Sequence, residues 1–388
     1  MMTVARPLMT DTAYPDEVFM AHAIRLAWKG LYTTMPNPRV GCVLVKEGRI
    51  IGEGWHQQAG QPHAEINALR NASESVAGAT AYVTLEPCSH HGRTGPCCEA
   101  LVKADVARLV VAMKDPNPQV AGRGLAHCSS AGLDIRVGVC ESDAQELNPG
   151  FVSRMSRGLP WVTVKLASSL DGRTAMASGE SQWITGPAAR RQVQRLRARS
   201  SAILCGVDAL ISDDSRLTVR PEQAGLSAAE CGPAPLRVVI DSHLRMPVDA
   251  SMLSEAGRTL VVTRVADRSR QQPLVAAGAE IRVQPGDSNA SIDLHELMQW
   301  LAQHEECNDV LVESGARLAG AFLEADLIDE LVLFQAPTLL GSSALPLFDI
   351  DIKEMRQQRR LVIKDIRAVG DDWYIIARPE KVIPAAKA

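Results

Sequence analysis

The first third of the chain alternates between helical and strand-like spacing of its apolar residues. Residues 15–30 place Val18, Phe19, Ile24 and Leu26 on one side of a helix, following the 3.6-residue period. The pattern also predicts strands at 40–45, 50–54, 79–85, 108–112 and 135–139, with helices that begin near His63 and Cys97 and span 124–131. Strands and helices of this length in alternation indicate an α/β layered domain.

A second α/β pattern occupies most of the remaining chain. Its first run, residues 161–167, is rich in β-formers, and Pro187 stands at the first position of the next helix, where proline is favoured. Further strands are predicted at 202–207, 236–240, 259–263, 309–313, 331–335 and 373–377, with helices from Pro187 to about Arg199 and over 294–303 and 318–324. Because no Gly-x-Gly-x-x-Gly follows a strand, the pattern argues against a Rossmann dinucleotide fold.

Weak patterning separates the two halves and marks the ends of the chain. We expect a linker at 151–160 between domains at 14–150 and 161–378, a flexible extension over 1–13 and a tail over 379–388. The N-terminus lacks the apolar core of a secretory signal. No apolar run approaches the 18 or so residues of a membrane span, so we expect no membrane partner.

Charge and cysteine content narrow the function further. The net charge is −4 and no long basic run occurs, so composition gives no support for a nucleic-acid partner. Nine cysteines in 388 residues do not form the dense framework of a small disulfide-stapled domain. They suit a reducing compartment in which some thiols bind metal, which predicts a cytoplasmic protein.

Four side chains between positions 63 and 97 form a candidate zinc site: His63, Glu65, Cys88 and Cys97. One imidazole and two thiolates make three protein ligands, and a catalytic zinc keeps its fourth position for water. We place His63 and Cys97 at helix starts, where the helix dipole favours a thiolate. Two alternatives stay open, because Cys98 could replace Cys97 and the run Cys-Ser-His-His at 88–91 offers a competing ligand set.

Glu65 is predicted to carry protons and not to bind metal, the division of labour known for zinc deaminases. Hydrolytic deamination adds water to a carbon that bears an amino group and expels ammonia. Zinc lowers the pKa of a bound water from about 16 to about 7. A carboxylate can then deliver protons to the ring nitrogen and the departing amine. The four residues together predict a zinc-dependent base deaminase.

The long spacing between Cys88 and Cys97 points to a particular family. Residues 84–97 read Thr-Leu-Glu-Pro-Cys-Ser-His-His-Gly-Arg-Thr-Gly-Pro-Cys, with Pro-Asn-Pro-Arg-Val-Gly at 36–41 and Asp-Pro-Asn-Pro at 115–118. These motifs resemble the bifunctional riboflavin-biosynthesis deaminase/reductase family, and the resemblance covers roughly residues 14 to 378. It implies a cytidine-deaminase-like three-layer α/β domain followed by a dihydrofolate-reductase-like α/β domain.

The same resemblance assigns roles in the second domain. It implies Zn²⁺ and NADPH as cofactors, a phosphorylated pyrimidine as substrate and reduction of the substrate's ribose to ribityl. The residues implied to contact substrate are Asn37, Ser181, Arg197, Leu217, Arg220 and Glu313. Those implied to contact NADPH are Ala167, Trp183, Ala209, Asp213, Ser242, Gly315, Arg317, Leu318 and Gly320.

Elementary chemistry supports part of this assignment. Arg197 and Arg220 can offer planar guanidinium forks to a phosphate, and Gly315 at a strand-to-helix turn lets backbone N–H groups approach a cofactor phosphate. Two positions depart from the family. Ala209 stands where the family carries a hydroxyl, and Ser215 stands where proline is common.

Two other interpretations compete with a bifunctional enzyme. One is a monofunctional zinc deaminase with an inactive C-terminal domain. The other is a zinc-stabilised binding module, against which Glu65 argues because a structural site needs no non-ligand acid there. We expect the protein to be a homo-oligomer.

Overall fold

The computed structural model describes residues 15–89, 95–118, 120–287 and 290–380. They form two compact units that divide between Val152 and Ser153. The expected N-terminal extension at 1–13 and most of the expected tail lie outside the described residues. Among the residues described, no helix has the length and apolar character that a bilayer crossing demands.

The first unit is built on a five-stranded sheet with strand order β2-β1-β3-β4-β5. Its strands are β1 Gly41–Lys46, β2 Arg49–Trp55, β3 Thr80–Val83, β4 Arg108–Val111 and β5 Asp134–Val137. Its helices are α1 Asp16–Ala27, α2 Ala64–Arg70, α3 Cys97–Lys103, α4 Arg123–Ser130 and α5 Glu141–Leu147, with a short 3-10 turn at Trp28–Gly30. Strand β1 runs antiparallel to β2 and β3, whereas β3, β4 and β5 are mutually parallel.

Alternating side chains of this sheet supply two separate cores, which makes the unit three-layered. Leu44, Val83 and Leu109 pack on one face with residues of α2, α3 and α4. Val43 and Val110 pack on the other face with residues of α1 and α5. The predicted three-layer α/β class is therefore confirmed, and both segments that carry candidate zinc ligands begin helices on the same face.

Helix α6, Pro149–Arg157, continues through the division between the units and occupies most of the predicted linker at 151–160. Pro149 stands at its first position, where a proline's missing N–H costs nothing. Phe151 and Val152 are partly buried against the core of the first unit. This segment is therefore helical, because two apolar side chains give it a surface on which to pack.

The second unit is built on a nine-stranded sheet with order β11-β10-β9-β8-β12-β6-β13-β16-β15. Its strands are β6 Trp161–Ser169, β8 Ala202–Gly206, β9 Leu236–Ile240, β10 Thr259–Thr263, β11 Glu280–Val283, β12 Asp309–Glu313, β13 Glu330–Ala336, β15 Leu361–Val369 and β16 Asp372–Pro379, with a small pair β7 Arg173–Ala175 and β14 Leu345–Pro346. Its helices are α7 Pro187–Ala198, α8 Val207–Asp213, α9 Pro221–Ala224, α10 Ser251–Ser254, α11 Arg268–Ala276, α12 Leu294–His304 and α13 Ala316–Glu324, with 3-10 turns at Ala228–Glu230 and Met355–Gln357.

Seven neighbouring strands of this sheet, β11 through β13, are parallel, so their carboxyl ends meet along one edge. The edge of a parallel sheet at the carboxyl ends of its strands is the usual place for a ligand in open α/β folds. The elements that the sequence pattern missed include α5, α8, α11, β11 and β15. Helix α11 contains Pro273, and the side chains of β15 are mostly exposed, so neither gives a clean burial period.

Candidate functional sites

His63, Cys88 and Cys97 form a compact ligand cluster in the first unit. Nδ1 of His63 lies 3.5 Å from Sγ of Cys88 and 3.4 Å from Sγ of Cys97. One candidate ligand atom from each of the three residues lies within 4.8 Å of the others. This is a set of one nitrogen and two sulfurs, the donor types that zinc prefers.

Local structure explains why these three side chains converge. His63 is the residue immediately before α2, and Cys97 is the first residue of α3, after Pro96. Cys88 lies in the loop that follows β3, and the backbone N–H of Cys97 donates to its Sγ at 3.3 Å. The side chain of Cys98 is buried in the apolar core with Leu101 and Leu109, so Cys97 is the cysteine that faces His63. His90 and His91, which belong to the competing ligand set, lie outside the described residues.

The electrostatics of the two thiols suit a cation. Hydrogen bonds from the Cys97 side chain, from His63 and from the Cys97 N–H lower the pKa of the Cys88 thiol to about 4, against the effect of burial. Interaction with Cys88 and burial raise the pKa of the Cys97 thiol. A second thiolate beside the first is unfavourable until a divalent cation compensates both charges, and a coordinated thiol is deprotonated outright. The residues present therefore fit a zinc ion.

Glu65 lies in the first turn of α2 and is only 3% exposed. Burial, and to a lesser degree the charge of Cys88, raises the pKa of its carboxyl to about 7. Such a group can take up and release a proton near neutrality. Glu65 thus has the location and the chemistry of a proton carrier next to the ligand cluster.

Asn37 is connected to the ligand cluster through the side chain of His56, a residue that the sequence did not single out. The Asn37 amide donates to Nε2 of His56 at 3.1 Å, and Nδ1 of His56 donates to the carbonyl of Pro62 at 3.2 Å. The rings of His56 and His63 meet edge to face with centroids 5.3 Å apart. Burial lowers the pKa of His56, which keeps this imidazole neutral between its two partners.

Glu313, at the carboxyl end of β12, is the centre of a buried ion network in the second unit. Arg197 donates from Nε and Nη2 to its two oxygens at 2.5 and 3.1 Å, and from Nη1 to the carbonyl of Thr218 at 3.0 Å. Nζ of Lys165 lies 3.6 Å from Glu313. Burial would raise the pKa of Glu313, but Arg197 and Lys165 hold it at about 2. The guanidinium group of Arg197, which the sequence analysis expected to bind a phosphate, therefore binds Glu313 instead.

Arg220 and Leu217 differ from Arg197 in their surroundings. The side chain of Arg220 is exposed, while its backbone N–H donates to Gln194 at 2.8 Å. Leu217 has a left-handed backbone (φ 49°) and buries its side chain in an apolar cluster, so it can offer a ligand only its backbone. Of the two arginines expected to bind phosphate, Arg220 is the one whose side chain faces solvent.

The residues expected to contact the cofactor, and Ser181 from the expected substrate set, are spread over several elements. Ser181 lies 3.5 Å from Asp213, and Trp183 is 71% exposed with Arg190 stacked over its ring. Gly315 precedes α13, and a Cβ placed there would meet open space. A Cβ at Gly320 would lie 2.3 Å from the carbonyl of Asp349, so packing already accounts for this glycine. The other predicted positions are Ala167 on β6, Ala209 on α8, Ser242 after β9, and Arg317 and Leu318 on α13.

Among the residues described, two buried hydroxyls near the carboxyl ends of neighbouring strands lack hydrogen-bond partners. The Oγ atoms of Ser168, near the end of β6, and Ser314, directly after β12, are buried and make no hydrogen bond among the residues described. Buried polar groups normally have a hydrogen-bond partner, so these two hydroxyls at the carboxyl edge of the sheet suit a polar ligand. Together with the open space at Gly315, this fits a cofactor that carries phosphate and amide groups.

Sequence comparisons assign both halves of the chain. Residues 13–113 match the cytidine and deoxycytidylate deaminase zinc-binding region, and residues 160–375 match the RibD C-terminal domain. The riboflavin biosynthesis protein RibD of Escherichia coli K12 is 49% identical over 363 residues, which cover 92% of this chain and 97% of that protein. The chain belongs to the RibD family.

Solved structures of RibD proteins agree with this membership. RibD of Acinetobacter baumannii (form 1) matches with a TM-score of 0.88 and 46% identity, covering 94% of this chain and 99% of that one. A diaminohydroxyphosphoribosylaminopyrimidine deaminase/5-amino-6-(5-phosphoribosylamino)uracil reductase from Thermotoga maritima matches with a TM-score of 0.81 and 31% identity over the same shares. The predicted fold class and family are thus confirmed, and the chain is a riboflavin-biosynthesis protein with deaminase and reductase activities. The monofunctional alternative is not favoured.

The structure also brings three residues to the two sites that the sequence did not single out. Lys165 touches Glu313, His56 joins Asn37 to the ligand cluster, and Glu86 is a buried carboxylate next to Pro87. The available signal for Lys165 and Glu86 was a charged side chain next to apolar residues of a predicted strand. For His56, which follows β2 in a polar stretch, the sequence offers no comparable signal.

Proposed function

We propose that the first unit removes the 2-amino group of 2,5-diamino-6-ribosylamino-4(3H)-pyrimidinone 5′-phosphate by hydrolysis. The observation that carries this proposal is the convergence of His63, Cys88 and Cys97 beside the buried carboxyl of Glu65. His63, Cys88 and Cys97 would hold a zinc ion. Bound zinc supplies the Lewis acidity that lets water ionise near neutral pH.

In this proposal Glu65 moves the protons. Its carboxylate accepts a proton from the attacking water and delivers it to the ring nitrogen, and a second transfer lets the amino group leave as ammonia. Burial of Glu65 keeps bulk water from competing for these protons. Water is consumed and ammonia released, so the step needs no oxidant or reductant.

The second unit would then reduce the ribosyl group of the deaminated product to ribityl. NADPH supplies the hydride when it is bound. We assign the cofactor to the carboxyl edge of the parallel strands, where Ser168, Ser314 and Gly315 leave unpaired hydroxyls and open space. Exposed Arg220 would bind the substrate phosphate through charge-assisted hydrogen bonds. Glu313, held by Arg197 and Lys165, would present a fixed negative charge beside the sugar.

A stepwise assay with purified full-length protein tests both activities. Zinc-loaded protein given the diamino substrate should release ammonia. When NADPH is then added, the amount of NADPH oxidised should equal the amount of ammonia released. The variant Glu65→Gln should retain zinc and lose deamination by roughly 10²–10⁴-fold, while reducing deaminated substrate at the normal rate. Absence of NADPH oxidation with deaminated substrate would select a monofunctional deaminase instead.

The domain limits at 14–150 and 161–378 and the homo-oligomeric state remain predictions. Expression of residues 161–378 alone, followed by the same NADPH assay, would test the limits. Sedimentation of the full chain would test the oligomeric state.

A further inference from the structure

Glu86 is a buried carboxylate that accepts hydrogen bonds from backbone groups of a distant segment. It is 3% exposed and follows β3, two residues before Cys88. Its Oε2 accepts from the N–H groups of Asp115 and Gly122 at 3.2 and 2.9 Å. Its Oε1 accepts from the N–H groups of Gly124 and Leu125 at 2.9 and 3.3 Å. A single side chain therefore satisfies four backbone donors.

Three of those four donors lie at the start of α4, and the fourth lies in the segment that precedes it. Gly122 is the N-cap of α4, Gly124 and Leu125 lie in its first turn, and Asp115 lies between β4 and α4. Helix α4 has no capping side chain of its own, because Gly122 stands at its N-cap. First-turn N–H groups need an acceptor, and a carboxylate there also interacts favourably with the helix dipole. Glu86 provides that acceptor from a different part of the chain.

The start of α4 is also in direct contact with the backbone beside Cys88. A Cβ at Gly124 would lie 2.0 Å from the carbonyl oxygen of Pro87, so only glycine allows this approach. On its other side, Cys88 is held by α3: its carbonyl accepts from the N–H of Cys98 at 3.3 Å, and its Sγ accepts from the N–H of Cys97 at 3.3 Å. The Pro87–Cys88 backbone is thus clamped between α4 and α3.

We propose that Glu86 is a positioning residue of the deaminase site. By fixing α4 against Pro87, it sets where the Cys88 sulfur stands relative to His63 and Cys97. The inference rests on the proposed zinc-dependent deamination and assigns it a residue that touches neither metal nor substrate. Outer groups that orient metal ligands typically change metal affinity or activity by about 10–100-fold when they are replaced.

Glu86→Gln in the full-length protein is the direct test. An amide has one acceptor oxygen and one donor NH₂, so at least one pair of backbone N–H groups loses its acceptor. We expect zinc to transfer to a chromogenic chelator roughly 10-fold faster or more, and kcat for deamination to fall by a similar factor. The visible bands of the Co²⁺-substituted site should shift, because they report the thiolate geometry. KM for NADPH and the rate of reduction of deaminated substrate should stay as in the wild type.

Glu99→Gln is the matched control, since Glu99 lies on α3 near the ligands and its carboxylate pairs with exposed Lys103 at 3.9 Å. It removes the same charge from the same region and should leave zinc release and the Co²⁺ bands unchanged.

Gly124→Ala tests the contact between α4 and Pro87 from the opposite side and covers the case in which Glu86→Gln gives little folded protein. Its added methyl must displace α4 from Pro87, so it should also speed zinc release and shift the Co²⁺ bands.

Zinc release and Co²⁺ bands equal to those of the wild type, in either variant with intact reduction, would overturn the positioning role. Equal effects in Glu99→Gln would do the same, because they would point to local charge. Failure of the proposed function looks different: the wild-type protein itself would then neither hold zinc nor deaminate.

Discussion

The two candidate sites differ in how their chemistry is built. The deaminase site brings one ligand atom each from His63, Cys88 and Cys97 within 4.8 Å of one another, and two of these residues stand at helix starts. The candidate reductase site draws instead on strand ends, loops and helices around a nine-stranded sheet, and its central carboxylate, Glu313, is already paired with Arg197 and Lys165. The residue types of the first site already indicate its chemistry, whereas the second site depends on which charged side chains pair in the folded chain.

The largest effect should come from Cys88→Ala, which leaves two protein ligands for zinc. We expect zinc content near zero and deamination lower by roughly a thousandfold or more, since both the Lewis acid and the proton transfer that depends on it are lost. Reduction of deaminated substrate should persist. Metal analysis and the two separate assays measure these outcomes.

Cys98→Ala is the matched control for that prediction. Its side chain lies in the apolar core, so the change should cost about 1 kcal/mol of stability by removal of buried volume and leave zinc bound. Loss of zinc from Cys98→Ala with retention in Cys97→Ala would reverse the ligand assignment. Loss of both activities in folded Cys88→Ala would contradict the independence of the two sites.

The contrast also explains how far the sequence could lead. His63, Glu65 and Cys88 were recognisable because few functions need an imidazole, a carboxylate and thiols in that order, and short helices bring them together. The layered α/β class followed from apolar spacing alone. The pairing of Arg197 with Glu313 could not be inferred, because the two residues are 116 positions apart in the chain and either could bind a ligand separately. Burial of Leu217 was hidden for the same reason.

Arg197→Ala tests whether this pairing is structural. It would leave the carboxylate of Glu313 buried with Lys165 as its remaining cationic neighbour, and breaking a buried pair typically costs about 3–5 kcal/mol. We expect the unfolding free energy of the second unit to fall by about that amount in urea titrations, with deamination unaffected. Arg199→Ala, at the end of the same helix, removes a more exposed arginine whose partner Glu330 keeps Arg378 as a second cation, so it should cost about 1 kcal/mol or less. Similar losses from the two variants would show that Arg197 carries no special structural role.

Arg220→Ala should have the smallest effect and separate binding from stability. Because its side chain is exposed, the unfolding midpoint should not move. If the guanidinium holds the substrate phosphate, KM for the deaminated substrate should rise roughly tenfold, the loss of about one charge-assisted hydrogen bond, with KM for NADPH unchanged. Lysine at this position should restore only part of the affinity, since it keeps the charge but not the planar fork.

Arg216→Ala is the control for Arg220→Ala, because Arg216 is also exposed, lies four positions away and pairs with Glu255 at 2.8 Å. It should change neither KM. A rise in KM for NADPH in Arg220→Ala, with substrate affinity intact, would move Arg220 to the cofactor. In that case the phosphate of the substrate would have to reach Arg197, and Glu313 would have to give up half of its bidentate pair when substrate binds. Exposed Arg220 and buried Arg197 are thus alternative partners for the substrate phosphate. The KM values of Arg220→Ala for the deaminated substrate and for NADPH decide between them.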